Sequence, residues 1–326
     1  MNPNDKPDAL DLIRRKDGGL TLGIELPLDN DWAPDRVAAA QAEGRPFGVP
    51  DLTQYRDRVV QVDQAGFAAV WLRDVPVFDP QRFGDAGSIY DPFVNLGFLA
   101  GITKRVALGT AAVVLPLRHP LMVAKAAASV DHLSGGRLIL GVASGDRPVE
   151  YPLMDLDFEG RGEAFRTSVD WMQRLWQGPG VPWRAGVVEG LDLLPRPVQA
   201  RIPMLVAGGG QQTPDWIAQH LQGRFAYPES PDRLAARIAD WRQRRWTLGR
   251  DNGIFVSAMH LDLAEDPATP MQPFRFGGRI GRQALAAHLH AMAEAGLDHL
   301  ALLLRPSRRP VEDVIEELAC DILPAL

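Results

Sequence analysis

The chain has 326 residues, of which 46% are hydrophobic and 23% charged, and its formal net charge is −6. This is the composition of an ordinary globular protein. An acidic chain without a block of basic residues argues against nucleic-acid binding. No apolar run approaches the ~20 residues of a membrane-spanning helix, which argues against a membrane protein.

The chain offers little for disulfide or metal chemistry. Cys320 is its only cysteine, so no internal disulfide can form, and no cluster of cysteine and histidine predicts a metal site. The polar residues 1–19 contain no apolar segment typical of a secretory signal. We therefore expect a cytoplasmic protein without a bound metal.

Short apolar segments alternate with helix-length amphipathic segments along the chain. The apolar segments are typical of strands buried on both faces of a parallel sheet, and they span residues 20–28, 68–73, 106–115, 138–143, 203–207, 223–227, 254–263 and 299–304. Helices are predicted over 52–65, 92–103, 120–133, 161–176, 215–221, 231–246, 283–295 and 311–322. Eight such units predict an α/β fold, a (β/α)₈ TIM barrel, with an open doubly wound sheet as the alternative.

Two segments interrupt this alternation. Residues 178–200 are rich in glycine and proline and look like a hairpin, and residues 267–281 look irregular. We interpret them as insertions after the fourth and seventh strands, long enough to act as lids over the strand ends. Phe274, Arg275 and Phe276 in the second segment would contact a substrate or a cofactor bound at the strand ends. The domain organisation is then a polar leader (1–19) and one barrel domain (20–326).

In a barrel of this kind, the active site lies at the carboxyl ends of the strands. The residues predicted there are Glu25, Arg73, Asp74, Ala111, Ala112, Ser144, Gly145, Asp146, Arg147, Gly208, Gly209, Gly210, Tyr227, His260 and Arg305. The three glycines precede a helix, so they form either a phosphate seat or a plain tight turn. Asp146, Arg147 and Glu150 either bind a substrate or pair with one another.

Two histidines and three absent motifs limit the kinds of catalysis that the sequence can support. His119 precedes a helix-starting proline and is better interpreted as a cap, whereas His260 ends a strand and is the better ligand candidate. The chain contains no GxSxG, P-loop or HExxH motif. An organic cofactor would therefore carry the chemistry of an enzyme built on this chain.

Four segments resemble the luciferase-like flavin monooxygenases, which use FMN or the deazaflavin F420. They are GFAAVWLRD (66–74), ITKRVALGTAAVVLPLRHP (102–120), DHLSGGRLILGVASGD (131–146) and AGGGQQTPDW (207–216). The resemblance covers about residues 20–225 and is strongest to a luciferase-type oxidoreductase branch that carries LPLRHP and GVASGDRPVE.

The resemblance implies that an FMN ring lies across the strand ends, over a cis peptide between Ala111 and Ala112. It also implies that the loop 208–212 and Arg161 bind the FMN phosphate, for which paired guanidinium–phosphate hydrogen bonds are the physical reason. The positions implied for cofactor binding are Glu25, Trp71, Asp74, Ala111, Ala112, Ser144, Gly145, Arg161, Gly208, Gly209, Gly210, Gln211 and Gln212.

One departure from the family concerns the acid/base. Asp74 matches a family glutamate, but Val75 stands where luciferases carry the histidine that transfers protons. The candidates for catalytic contacts are Asp74, Arg73, Asp146, Arg147 and His260.

The function expected from the resemblance is that of a two-component FMN-dependent monooxygenase. A separate flavin reductase would supply reduced FMN, and O₂ would oxidise a small organic substrate. A homodimer is expected through helices of the first half, where the alanine-rich segment 123–133 permits close packing. The alternatives are an F420-dependent dehydrogenase or reductase, a non-catalytic flavin-binding protein, and a barrel enzyme without flavin.

Overall fold

The strands form one large sheet and one small hairpin. The computed structural model describes residues 7–82, 89–183 and 186–326. The strands are β1 (Thr21–Glu25), β2 (Ala69–Leu72), β3 (Ala107–Thr110), β4 (Val113–Val114), β5 (Leu138–Ala143), β6 (Val181–Trp183), β7 (Gly186–Val188), β8 (Met204–Ala207), β9 (Gly223–Ala226), β10 (Ile254–Leu263), β11 (Gln272–Phe274), β12 (Gly277–Ile280) and β13 (His299–Leu303).

Helices connect the strands and cover the outside of the large sheet. They are α1 (Leu10–Ile13), α2 (Pro34–Ala42), α3 (Tyr55–Ala65), α4 (Pro92–Ile102), α5 (Pro120–Ser134), α6 (Arg161–Gln177), α7 (Pro214–His220), α8 (Pro231–Thr247), α9 (Arg282–Glu294) and α10 (Val311–Glu317). The eight predicted helices are all present, and α10 continues as a π-helical turn over Leu318–Ile322.

Eight strands close into a barrel in the order β1, β2, β3, β5, β8, β9, β10 and β13. Each neighbouring pair is parallel, and β13 pairs with both β10 and β1, which closes the ring. Closure confirms the predicted (β/α)₈ barrel and shows that the open-sheet alternative is wrong. The short predicted strand at 223–227 is confirmed as β9.

The third predicted strand, 106–115, is not continuous. It forms β3 and then β4, which are separated by a cis peptide between Ala111 and Ala112. The chain runs very close to β5 here, since a Cβ on Gly141 would lie 1.7 Å from the Thr110 carbonyl oxygen. The Thr110 hydroxyl donates a hydrogen bond to the Gly141 carbonyl at 2.7 Å.

The amino end of the barrel is covered by α1. Leu10 and Ile13 are buried in one apolar cluster with barrel side chains that include Trp71 and Phe225. The Thr21 hydroxyl, at the start of β1, donates to the Ile13 carbonyl at 2.9 Å. The described part of the polar leader is therefore packed against the barrel.

The first insertion lies at the amino end of the barrel, because it follows α6 and precedes β8. It contains the predicted hairpin, β6–β7. The Arg196 guanidinium donates to the Leu175 carbonyl at 2.8 Å, near the end of α6. The prediction that residues 178–200 form a lid is wrong, because helix-to-strand connections lie opposite the carboxyl ends of the strands.

The second insertion does lie at the carboxyl end, because it follows β10. It is more regular than predicted: β11 and β12 form a hairpin, and β12 pairs in parallel with the end of β10. His260 of β10 is in register with Gly277. This pairing holds the turn at residues 275–276 beside the barrel mouth.

Candidate active site

The glycine loop at the end of β8 has a left-handed backbone. Gly208, Gly210 and Gln211 have φ values of 65°, 55° and 57°. A Cβ on Gly210 would lie 3.0 Å from Val206 Cγ2, so this position has little room for a side chain. Within the described residues, the backbone N–H groups of Gly209, Gly210 and Gln211 donate to no other group of the protein. Such an arrangement of amides forms a nest for an anion.

This loop lies against the first turn of α6. The Gln212 side-chain amide donates to the Gly162 carbonyl at 2.7 Å, and its oxygen accepts hydrogen bonds from Arg166. Arg161 directly precedes Gly162, so a guanidinium stands at the same corner as the free amides. The Arg161 Nη1 donates to the Phe158 carbonyl at 2.8 Å, while its Nε is buried without a partner. An orphaned guanidinium nitrogen beside a nest of amides fits a phosphate group.

The ends of β3 and β5 lie beside this loop, because β5 pairs with both β3 and β8. The structure places a cis peptide between Ala111 and Ala112, where the resemblance implies one. Gly145 has a φ of 79°, and a Cβ there would lie 2.7 Å from the Tyr151 hydroxyl oxygen. The Tyr151 hydroxyl donates to the Ser144 carbonyl. Burial raises the pKa of Tyr151 to about 12, so this hydroxyl remains a donor at neutral pH.

Asp74 is held inside the protein by Arg118. The two guanidinium–carboxylate distances are 2.9 and 2.7 Å, and the same carboxylate accepts from the Val114 amide at 3.1 Å. Arg118 also donates to Asp91, the N-cap residue of α4, at 2.8 Å. The Asp74 carboxylate therefore links Arg118 to β4, the strand that follows the cis peptide.

A second ion pair joins Glu25 and Arg73 at the ends of β1 and β2. The charges of both residues affect the pKa of Tyr227, which follows β9. Partial burial and the negative charges of Asp146 and Glu25 raise the pKa of Tyr227, and the positive charge of Arg73 opposes this shift. These residues therefore surround the barrel mouth together.

The charged cluster after β5 divides into a pair and one exposed residue. Arg147 lies 3.2 Å from the buried Glu150, so the expected internal pairing is present for these two. Burial raises the pKa of Glu150, while the charge of Arg147 lowers it. Asp146 is exposed at the mouth.

His260 lies among aromatic rings. Its ring contacts those of Trp32 and Phe276 edge-on, with centroid distances of 5.5 and 5.6 Å. His119 instead caps α5, since its Nδ1 accepts from the Leu121 amide at 3.3 Å, which confirms the cap interpretation. Trp71 is fully buried and donates to His299, so its side chain is part of the barrel core.

A cavity of about 520 Å³ lies on the same face, beside the loops after β1 and β13. Its lining includes Arg36, Arg58, Arg308 and Glu312. Arg58 donates to Glu312 at 2.6 Å and to the Leu28 carbonyl at 2.7 Å. Much of the charge in this cavity is thus already paired.

The described residues offer neither a metal site nor a membrane-spanning helix. Among the described residues, no group of three or more His, Cys, Asp or Glu side chains could hold a metal ion. In the same part of the chain, no helix is both long and apolar enough to cross a membrane.

The family model for luciferase-like monooxygenases matches residues 32–298. The chain belongs to this family. Among curated relatives, a flavin-dependent trigonelline monooxygenase, oxygenase component, from Acinetobacter baylyi is 36% identical over 118 residues, which is 36% of this chain and 31% of that protein. An F420-dependent glucose-6-phosphate dehydrogenase from Amycolatopsis mediterranei is 31% identical over 176 residues, which is 52% of this chain and 51% of that protein. The matches thus span about a third to a half of these relatives.

A solved structure shares the fold over almost the whole chain. The monooxygenase RslO1 from Streptomyces bottropensis superposes with a TM-score of 0.68 at 20% identity, covering 94% of this chain and 99% of that one. At this identity the likeness shows the fold alone.

Several site residues of this luciferase-like protein were not among the sequence-derived candidates. Arg118 stands inside the LPLRHP string, where nothing in the local sequence indicates its pairing with Asp74. Tyr151 follows the charged cluster, and Trp32 lies in the loop after β1, where the sequence offers no distinguishing pattern. Their roles depend on contacts with residues distant in sequence.

Proposed function

We propose that the protein is a flavin-dependent oxidoreductase that binds FMN and acts as the oxygenase component of a two-component monooxygenase. The observation that carries the proposal is the corner where Arg161 meets the free amides of residues 209–211. Bound FMN would supply the redox chemistry, with O₂ as the co-substrate.

The chain's own residues would bind and orient this cofactor. Arg161 and the loop amides hold the phosphate, and Ser144, Gly145 and the peptide between Ala111 and Ala112 support the ring. The buried Arg118–Asp74 pair keeps that peptide in place through the Val114 amide. Arg73, Asp146 and His260 remain the candidates for polar contacts with a small organic substrate.

The relatives support the finer points. The Acinetobacter protein is named as an oxygenase component, which supports a separate flavin reductase as a partner. The Amycolatopsis protein is named as F420-dependent, which favours an F420-dependent dehydrogenase or reductase as the second candidate. A cytoplasmic location stays a prediction.

Titration of the purified protein with FMN, riboflavin and F420 tests the proposal. FMN should bind at least about tenfold more tightly than riboflavin, since only FMN carries the phosphate and charged hydrogen bonds contribute about 1.5–3 kcal/mol. Arg161→Gln should weaken FMN binding by about tenfold and leave riboflavin binding unchanged. Arg174→Gln, on the exposed part of the same helix, is the matched control.

Other outcomes of this titration decide between the candidates. Equal affinity for FMN and riboflavin would contradict the proposed phosphate site. Preferential binding of F420 would favour the F420-dependent dehydrogenase or reductase. A protein that binds none of the three is not a flavoprotein. A separate turnover assay tests the non-catalytic alternative. That alternative becomes the better interpretation if no small organic substrate is oxidised in the presence of reduced FMN and O₂.

We also propose a homodimer that forms through α4. The helix is apolar on both its inner and its outer face. On the outer face, Val94 and Phe98 are 73% and 45% exposed. Gly97 and Gly101 lie on the same face at helical spacing and have no neighbouring atoms within 4 Å of an added Cβ. A second copy could approach this face closely.

A further inference from the structure

Five aromatic rings form a continuous row along one side of the barrel mouth. Successive centroid distances are 6.3 Å from Phe47 to Trp32, 5.5 Å to His260, 5.6 Å to Phe276 and 5.4 Å to Tyr227. The rings come from the loops after β1 and β9, from β10 itself, and from the β11–β12 turn. We refer to these five residues as the aromatic row.

The aromatic row is open at both ends. Phe47 is 44% exposed and Tyr227 is 62% exposed, although both are large apolar rings. Burial of such rings is favourable, so exposed aromatic surface in a cleft marks a binding site more often than scattered single residues do. The row can therefore gain further apolar contact from a ligand.

The backbone at Phe276 indicates that its ring is needed there. Phe276 occupies the two-residue turn between β11 and β12 with a φ of 66°. Glycine or asparagine is favoured in this left-handed conformation, because a Cβ makes it unfavourable for other residues. The phenylalanine in this turn places its ring between those of Tyr227 and His260.

Positive charge accompanies the aromatic row. The Arg275 guanidinium lies 4.7 Å from the centre of the Phe276 ring. Among the described residues, Arg275 forms no ion pair with an acidic side chain. An anionic group on a ligand that stacks on the row would be attracted to this guanidinium.

The aromatic row lies across the mouth from the proposed flavin site. The flavin contacts are assigned to the ends of β3, β5 and β8, whereas the row belongs to β9, β10 and the loop after β1. In the barrel order β3, β5 and β8 form one arc and β9, β10 and β1 lie in the other, and the two arcs adjoin where β8 pairs with β9. A ligand on the row would face the flavin ring across the mouth.

We propose that the aromatic row is the substrate platform and that it takes a planar aromatic ring system with an anionic substituent. The proposal rests on the proposed function for the reaction that follows binding, but the platform binds its ligand through its own residues. Stacking between rings supplies the preference for planarity. Arg275 supplies the preference for negative charge.

Calorimetric titration with three probes tests the platform in the full-length protein, with and without FMN. The probes are 2-naphthoate, its saturated analogue decalin-2-carboxylate, and 2-naphthylmethylammonium. We expect 2-naphthoate to bind at least about tenfold more tightly than either of the others. Equal affinity for the flat and saturated acids would overturn the planar preference, and equal affinity for the acid and the ammonium would overturn the charge preference.

Variants assign the binding to the aromatic row. Phe276→Leu should weaken 2-naphthoate binding by about tenfold, and Arg275→Gln should remove its advantage over the ammonium probe. Tyr227→Leu provides a second test of stacking at the exposed end of the row. Trp246→Leu, at an exposed aromatic residue on α8, is the control and should change nothing.

FMN titration of the same samples separates the two proposals. If the wild-type protein binds 2-naphthoate but not FMN, the proposed function fails while the platform stands. If 2-naphthoate displaces FMN, the row belongs to the cofactor site and the platform proposal is overturned. Unchanged 2-naphthoate affinity in Phe276→Leu and Tyr227→Leu would also overturn it.

Discussion

His299 is fully buried in the barrel, between one donor and one acceptor. The Trp71 indole N–H donates to its Nε2 at 3.0 Å, and its Nδ1 lies 2.8 Å from the Thr21 hydroxyl. Because Nε2 must accept, the ring is neutral and carries its proton on Nδ1. Burial lowers the pKa of His299 to about 3.

This histidine predicts a loss of stability at mildly acidic pH. The unfolded chain takes up a proton near pH 6.5, whereas folded His299 does not until about pH 3. The unfolding free energy should therefore fall as pH drops below about 6.5, by about 1.4 kcal/mol between pH 7.5 and pH 5.5 from this group. Urea unfolding at these two pH values measures the difference.

Two variants isolate the contribution of His299. His299→Gln should be less stable overall, but its unfolding free energy should lose about 1.4 kcal/mol less over the same pH interval. His290→Gln, at an exposed position on α9, should keep the dependence of the wild-type protein. A pH dependence that is unchanged in His299→Gln would contradict the assignment.

At the scale of elements, Gln199 connects three parts of the amino end of the barrel. Its Oε1 accepts from the Ala9 amide at 2.7 Å, next to α1. Its Nε2 donates to Asp131 near the end of α5 at 2.6 Å, and to the Leu138 carbonyl of β5 at 2.9 Å. A buried side chain that satisfies three groups is costly to remove, because each unmade bond leaves a desolvated partner.

Gln199→Ala should loosen α1 before it affects the barrel. The amides of residues 10–14 should exchange hydrogen faster, and the unfolding free energy should fall by about 1–3 kcal/mol. Hydrogen-exchange mass spectrometry measures the first effect and urea unfolding the second. Gln173→Ala, which removes one hydrogen bond to the His220 carbonyl on the outside of the barrel, should leave the exchange of α1 unchanged.

The sequence predicts the regular part of this fold well, because parallel strands covered on both faces must be apolar throughout. It misses α1, because Leu10 and Ile13 are two apolar residues in a polar segment, and only their fit to the barrel end makes them core. The prediction of a lid over 178–200 overlooked the element order, because a segment between a predicted helix and the next strand lies at the amino end of the barrel.

For the candidate site, the sequence identifies the strand ends and loops that form it. It does not show which of their side chains remain available to contact a ligand. The glycine loop and the cis peptide lie where the family resemblance places them. The partners of Asp74 and Arg147 could not be inferred, since an ion pair depends on the path of loops that bring distant residues together. The ring contacts of Trp32 and Phe276 could not be inferred either, because they join four segments that are distant in sequence and leave no local pattern.

At the scale of the whole molecule, the outer face of α4 predicts self-association. Phe98→Glu would place a charge in the proposed contact, where burial of an unpaired charge is strongly unfavourable. The variant should sediment as a single chain of 35.8 kDa, whereas the wild-type protein should sediment as twice that mass. Analytical ultracentrifugation distinguishes the two.

A charge placed elsewhere on the surface provides the control. Trp246→Glu, on α8, should sediment like the wild-type protein. A wild-type protein that sediments as one chain at micromolar concentration would refute the dimer, and a dimeric Phe98→Glu would assign the contact to another face.

The lone thiol of the chain makes it directly suitable for spectroscopy. Cys320 is exposed in the turn that continues α10, so a maleimide or nitroxide reagent should modify the wild-type protein at a single point. No background cysteine has to be removed first. A nitroxide there would report one spin–spin distance from a pair of associated copies and none from a solitary chain, which gives assembly a spectroscopic signature without any substitution.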